Sequence, residues 1–354
     1  MAFTSGEAPA ANAATRTYYI AADEVAWDYA PSGINQITGE PFGEMENVFV
    51  QQGPRRIGRV YVKALYREYT DATFATLKPR PPQWAHLGTL GPLIRAEVGD
   101  TIQVVFKNNT RFATSFHVHG LFYEKDSEGA PYSDGTSGSD KADDAVAPGG
   151  RHTYTYQVPE RAGPGPNDAS SIVWVYHSHV DETADTNAGL IGPIIVSRRG
   201  IANADGTPTD VDREFITLFT VFDENASPYL QTNIDTYTGR PKTVKPDDED
   251  FQESNLMHSI NGYVYGNLPL LTTNQGQRVR WYLIGMGTEV DLHTPHWHGN
   301  TVLEDGHQRD VVELLPASLK VADMVPDNPG TWLYHCHVND HIDAGMLARF
   351  QVTP

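Results

Sequence analysis

Cysteine is almost absent from this 354-residue chain: Cys336 is the only one, so no disulfide framework can hold the fold. Basic residues are also scarce. Lys and Arg number 26 against 45 Asp and Glu, a formal charge of −19, and such a chain carries no electrostatic footprint for nucleic acid. No apolar run approaches the roughly 18 residues of a membrane-spanning helix. Met1–Thr15 is small and polar and lacks the apolar centre of a signal peptide. Disorder throughout is excluded as well, since 39% of the residues are hydrophobic and the chain holds 17 Tyr and 13 Phe. The length suits two domains.

What is present reads as all-β. Short alternating or β-branched runs recur at Tyr18–Ala22, Arg59–Leu65, Thr101–Asn108, Thr153–Val158, Ile172–Tyr176, Ile191–Ser197, Phe215–Phe222, Arg278–Ile284, Ser318–Val325, Thr331–His335 and Leu347–Val352. Gly, Pro, Asn and Asp punctuate them, and no long amphipathic helix intervenes. That pattern predicts β-sandwiches. Arg199–Asp212, polar and without periodicity, is the expected linker between a first domain at 17–198 and a second at 213–354; residues 1–16 are expected to be a disordered tail.

An internal repeat carries more. His117-Val118-His119-Gly120 recurs as His296-Trp297-His298-Gly299, and Tyr176-His177-Ser178-His179-Val180 recurs as Tyr334-His335-Cys336-His337-Val338. Gly189 and Gly345 follow at matching distances, so each half is expected to be the same unit, duplicated. Aligning the halves sets Thr114 against His293, Ser178 against Cys336, Thr183 against His341 and, with one extra residue, Leu190 against Met346. Four ligand positions are thus filled together in the second half and lost together in the first. Two His, a Cys thiolate and a weak Met are the blue-copper donor set. Zinc is the competing metal, but a Met donor and the lack of any CxxC pair argue against it.

The other pattern is four His-x-His pairs, at 117/119, 177/179, 296/298 and 335/337. Residues i and i+2 of a strand share a face, so each pair can offer two imidazoles to one side while Cys336 points to the other. Eight imidazoles suit about three copper ions.

On these motifs the chain resembles the multicopper oxidases, and within them the ceruloplasmin and hephaestin branch that includes the A domains of coagulation factors V and VIII. The resemblance runs from about Thr17 to Thr353, through YYIAADEVAWDYAPSG, LGPLIRAEVGDTIQVVFKNNT, EKDSEGAPYSDGTSG, YHSHVDETADTNAGLIGPIIV and HCHVNDHIDAGM. It implies two cupredoxin-like Greek-key β-sandwich domains and four coppers per chain. Type 1 copper would sit on His293, Cys336, His341 and Met346, and type 2 on His117 and His296. The type 3 pair would sit on His119, His177, His179, His298, His335 and His337.

The resemblance further implies one-electron oxidation of a donor, Fe(II) or a phenol, with Cys336, His335 and His337 linking donor oxidation to the reduction of O2 to water. Small laccase-like multicopper oxidases share this scheme. Lys125, Glu128, Asp134, Asp140, Asp143 and Asp144 match a calcium loop, and Glu253, His258 and Asp340 match an iron site beside the type 1 copper. A homotrimer is expected, with three-copper clusters shared between neighbouring chains, and so is a secreted or periplasmic location. The alternatives are a broad laccase without an iron site, a copper nitrite reductase and a non-catalytic scaffold. The nitrite reductases keep their blue copper in the first domain, and a scaffold needs no full ligand set.

Overall fold

The computed structural model describes residues 13–354. Numbered along the chain, the strands are β1 (Thr15–Asp28), β2 (Val60–Tyr69), β3 (Ile94–Glu97), β4 (Thr101–Asn108), β5 (His117–Val118), β6 (Arg151–Gln157), β7 (Ser171–His177) and β8 (Ile191–Ser197) in the first half. The second half holds β9 (Arg213–Asp223), β10 (Leu256–Ile260), β11 (Leu271–Asn274), β12 (Val279–Gly285), β13 (Pro295–Trp297), β14 (Val302–Glu304), β15 (His307–Arg309), β16 (Leu319–Met324), β17 (Gly330–Cys336) and β18 (Leu347–Thr353). Helices are short: α1 (Asn47–Val50), α2 (Glu182–Ala188), α3 (Leu230–Tyr237), α4 (Glu249–Glu253) and α5 (Asn339–Asp343). None of them is long and apolar enough to cross a membrane.

The duplication read from the histidine motifs extends to topology. Sheets ordered β2-β1-β4-β6 and β3-β8-β7-β5 make the first sandwich. The second repeats them as β10-β9-β12-β16 and β11-β18-β17-β13, adding the hairpin β14–β15 at one edge. Each half contains the same two parallel pairings, β1 with β4 and β3 with β8, then β9 with β12 and β11 with β18. These parallel pairs are crossovers between sheets, which a hairpin-by-hairpin meander would not produce.

Three apolar clusters follow. Ile20, Tyr66, Val104, Phe116, Tyr154 and Tyr176 fill the first sandwich, and Phe215, Trp281, Trp297, Tyr334 and Phe350 fill the second. A third cluster joins them, with Tyr61, Val173, Val175, Ile191 and Ile195 against Ile216, Leu218, Met257, Tyr282 and Ile284. It explains why β8 and β12 are buried at every position. Alternate residues face their own sandwich core, and those between face the other domain. Full burial of an Ile or Leu contributes about 1.5–3 kcal/mol, so the two halves are held as one body.

One expectation is corrected. The strand β1 begins at Thr15, paired with Thr101 of β4, and Arg16 forms an ion pair with Asp100 at 2.6 Å. The expected tail therefore does not include residues 15 and 16; residues 1–12 lie outside the described part of the chain. The segment 199–212 connects β8 to β9 and is packed rather than free. Ala202 and Pro208 form a bridge, and the Ala202 N–H donates to Glu97 at 2.8 Å, packing the loop on the first sandwich.

Candidate metal centre

The β13–β17 register sets Pro295 opposite Cys336 and His296 opposite His335. The chain leaves β17 at Cys336, turns through α5 and returns as β18, which brings His341 back to the thiol and Met346 back to the Cys336 backbone. Gly345 makes that return possible. It has φ +104°, and a Cβ there would meet the Tyr265 ring at 2.9 Å. His293 arrives from the loop before β13, bridged to Leu314.

The donors converge. His293 Nδ1 lies 3.2 Å from His341 Nδ1, and Cys336 Sγ lies 3.6 Å from the latter. His293, Cys336, His341 and Met346 are all buried, and the Cys336 N–H donates to the Met346 carbonyl at 3.1 Å. Burial pushes the thiol up, but hydrogen bonding to His293 and His341 outweighs it and brings the Cys336 pKa down to about 6. A buried thiol biased toward thiolate, facing two imidazole nitrogens with a buried thioether on the return strand, fits type 1 copper.

Two supporting groups were not foreseen. Asp291 Oδ1 lies 3.2 Å from His293 Nε2, and its carboxylate also accepts from the N–H groups of Val221 and Thr288, at 2.8 Å each. It thereby fixes which imidazole nitrogen faces the thiol. The Thr294 N–H donates to Cys336 Sγ at 3.4 Å. An Asp two residues before a ligand His was the available signal for the first; the second is a backbone group and leaves none.

Each half gathers its own histidines. In the first, His119 Nε2 lies 3.0 Å from His177 Nε2, and the His117 and His179 rings are 5.1 Å apart. In the second, His298 Nε2 lies 3.0 Å from His335 Nε2, and the His296 and His337 rings are 5.2 Å apart. The Nδ1 atoms of His117, His177 and His335 donate to the carbonyls of Glu128, Ser178 and Cys336, which leaves their Nε2 lone pairs free. Burial holds His177 at a pKa of about 3 and His335 at about 4, so both are neutral and ready to ligate. Crowded lone pairs of this kind favour a cation between them. Among the described residues, His117, His119 and His177 form one metal-sized group and His296, His298 and His335 another, and neither group mixes the two sets. Glu182 stands 3.5 Å from His179, and Asp310 stands 3.7 Å from His296.

The first sandwich has replaced the type 1 donors with hydroxyl chemistry. Ser178 donates to the buried Asp185 at 2.6 Å and accepts from the Ser115 N–H at 3.0 Å, while Leu190 is buried.

Glu253, His258 and Asp340 line a cavity of about 800 Å³ that reaches His341. The His258 ring lies 5.1 Å from that of His341, and burial first, then His341, lowers its pKa to about 4. Glu253 and Asp340 are exposed, and the three do not close into a tight donor cluster. Glu182, from the first domain, lines the opposite wall. In the loop matching a calcium site, Lys125 pairs with Glu128 and with Asp134 at 3.1 Å. Lys141 pairs with Asp134 at 2.9 Å and Asp144 at 3.0 Å. Asp143 is buried, with Oδ2 accepting from the Gly129 N–H and Oδ1 unpartnered, and Asp140 is exposed.

Sequence models of the multicopper oxidase family match residues 71–200 and 235–354. With a blue-copper donor set in the second sandwich and paired histidines in both, the chain belongs to the multicopper oxidase family. It is 49% identical to human ferroxidase HEPHL1 and 47% to human hephaestin over 96% of its length, and 44% to human ceruloplasmin over 95%. It spans only 29%, 29% and 31% of those proteins. Among solved structures, the multicopper oxidase mgLAC superposes with a TM-score of 0.60 at 19% identity, covering 96% of this chain and 86% of the other. The blue copper oxidase of Nitrosomonas europaea does so at 0.58 and 18%, covering the same shares. Both establish the cupredoxin-type fold.

Proposed function

We propose that this chain is a copper-dependent oxidase that couples four one-electron oxidations of a small donor to the reduction of O2 to two waters. The observation that carries it is the covalent adjacency of three residues. Cys336, in the type 1 pocket, lies between His335 and His337, in the second histidine set. Copper, when bound, supplies the one-electron redox change. The protein's part is to hold His293, Cys336, His341 and Met346 buried, to fix His293 through Asp291, and to keep the cluster imidazoles neutral.

Occupancy would be four coppers per chain, type 1 as above, type 2 on His117 and His296, and type 3 on the other six histidines. Since no metal-sized group among the described residues mixes the two sets, the cluster would form between copies. Three chains joined head to tail close a ring without leaving an unpaired end. A secreted or periplasmic location belongs to the same proposal and rests on the likeness to ceruloplasmin and hephaestin.

Fe(II) is the donor favoured by Glu253, His258 and Asp340, because hard carboxylate oxygens stabilise Fe(III) more than Fe(II). An organic donor has its own support in the apolar wall of the same cavity, formed by Phe49, Leu218, Phe222, Leu256 and Met286. Calcium on the 125–144 loop is proposed from Asp143, whose buried Oδ1 lacks a partner. It would have to displace Lys125 and Lys141. Oxygen uptake with Fe(II) and with a phenol, beside nitrite consumption under argon, tests the reading. Glu253→Ala with Asp340→Ala should raise KM for Fe(II) while sparing the phenol. Nitrite consumption without oxygen uptake would overturn the proposal.

A further inference from the structure

A group of basic residues without ion pairs among the described residues lies away from every candidate copper ligand. Two loops, 51–56 and 239–245, are tied together by backbone hydrogen bonds from the Gly239 N–H to the Gly53 carbonyl at 3.2 Å and from the Arg240 N–H to the Pro54 carbonyl at 2.8 Å. They carry Arg55, Arg56, Arg240, Lys242 and Lys245. None of the five forms an ion pair among the described residues, whereas Arg59, Arg95, Arg111 and Arg278 each find a carboxylate. In a chain of net charge −19, acidic partners are plentiful. Like charges gathered on two loops repel each other, and an anion relieves the part of that repulsion that nearby Asp248 and Asp250 leave in place.

Between the loops is a cavity of about 230 Å³, lined by Arg55, Arg56, Thr243, Lys245, Asp248, Asp250 and Phe251. Phe251 is buried. Arg56 is half-buried and anchored by one bond, from Nη1 to the Val48 carbonyl at 3.1 Å, which leaves its other N–H groups unpartnered among the described residues. A guanidinium fixed at one edge is prepared for bidentate contact with an oxyanion. The Asp248 carboxylate is occupied as the cap of α4, accepting from the Phe251 N–H at 3.2 Å, so Asp250 is the one lining carboxylate without such a bond.

We propose that this cavity binds a small multivalent oxyanion, inorganic phosphate or a polycarboxylate such as citrate, on Arg55, Arg56 and Lys245. The site stands whether or not the oxidase reading does, because no copper ligand contributes to it.

The copper-loaded protein is titrated in separate calorimetric arms with inorganic phosphate and with citrate, at matched ionic strength against chloride, and phosphorus NMR line broadening follows the phosphate arm. The comparison protein is Arg55→Gln with Lys245→Gln, both exposed positions, with its melting temperature measured as the folding control. Saturable binding that weakens at least tenfold in that variant supports the site, and whichever anion binds names its source. No saturable binding of either anion across the millimolar range overturns it. Equal binding in the variant does so too, because the anion then sits elsewhere. If the double variant melts early, Arg55→Gln alone decides on the same criterion.

Discussion

Asp291 shows how much of the metal centre is set by a residue that would never touch the ion. It accepts from two backbone N–H groups and holds His293 by its outer nitrogen. Asp291→Ala would leave two buried donors unpaired at a cost of about 1–3 kcal/mol each and release the ring. The expected result is a lower melting temperature and a 10- to 100-fold loss of type 1 copper affinity, read by competition with a chelator. Retained affinity with lowered stability alone would reduce Asp291 to a structural role. Cys336→Ser is expected to act differently. The hydroxyl keeps the size of the thiol but not its thiolate character, so copper-loaded protein should lose its intense visible absorption and its oxygen uptake. Copper bound by the histidine sets should remain, measured as metal per chain.

At the level of elements, two segments join the sandwiches through polar groups that have left water. In β2, Lys63 pairs with Glu224, just past β9; both side chains are fully buried, and Glu224 also accepts from the Tyr29 hydroxyl at 2.5 Å. Burial lowers the lysine pKa and raises that of the glutamate, while each draws the other back toward its charged form. Lys63→Met strands a buried carboxylate and should cost about 3–5 kcal/mol, whereas Lys63→Met with Glu224→Leu should recover most of it. Chemical denaturation of both variants measures this. In the turn Pro82–Leu87, His86 donates from Nδ1 to the Gln83 carbonyl at 3.0 Å and accepts at Nε2 from the Ile216 N–H at 3.3 Å. Burial first, then Arg213, holds it at a pKa of about 3. The folded state therefore keeps His86 neutral while the unfolded chain takes a proton near pH 6.5. Its contribution is complete above pH 6.5 and is lost as pH falls toward 3, by up to about 1.4 kcal/mol per pH unit. His86→Phe should be less stable at pH 7.5, yet the gap from the wild type should narrow as pH falls. A gap independent of pH would mean that His86 titrates normally.

How legible these elements were depended on local signals. Strands such as β4, alternating buried and part-buried at every step, and β12, apolar but for Arg280, announce themselves. β5, β13 and β15 are two or three residues long and carry no usable period. The candidate copper ligands stood out because His-x-His pairs repeat at fixed spacing and the single Cys falls inside one of them. The cavity wall from α2 did not, because which loop of one sandwich faces the other is decided by the shared apolar core.

At the scale of the whole molecule, the separation of the histidine sets becomes a statement about assembly. Each sandwich gathers four histidines, and each metal-sized histidine group among the described residues draws on one sandwich alone. On the proposed reading the interdomain core holds the two sets in that arrangement, and a second copy completes the shell. The faces that must meet differ, one bearing His117, His119, His177 and His179 and the other His296, His298, His335 and His337. Such a heterologous contact closes as a ring or runs on as a filament. Three copies would close such a contact into a ring of six sandwiches and leave no half-shell open. Sedimentation should therefore give a trimer of 39.1 kDa chains. Dilution to monomer should lose the cluster copper and the oxygen uptake but keep the visible absorption of the type 1 site, which is complete within one chain. Mixing two inactive variants refines the test. A chain with His117→Ala and His119→Ala and a chain with His296→Ala and His298→Ala each lack one half-shell. Co-assembled, they form some interfaces that join two intact halves, and part of the oxygen uptake should return. A fully active monomer, or no recovery on mixing despite trimer formation, would mean that the two sets do not share copper across chains.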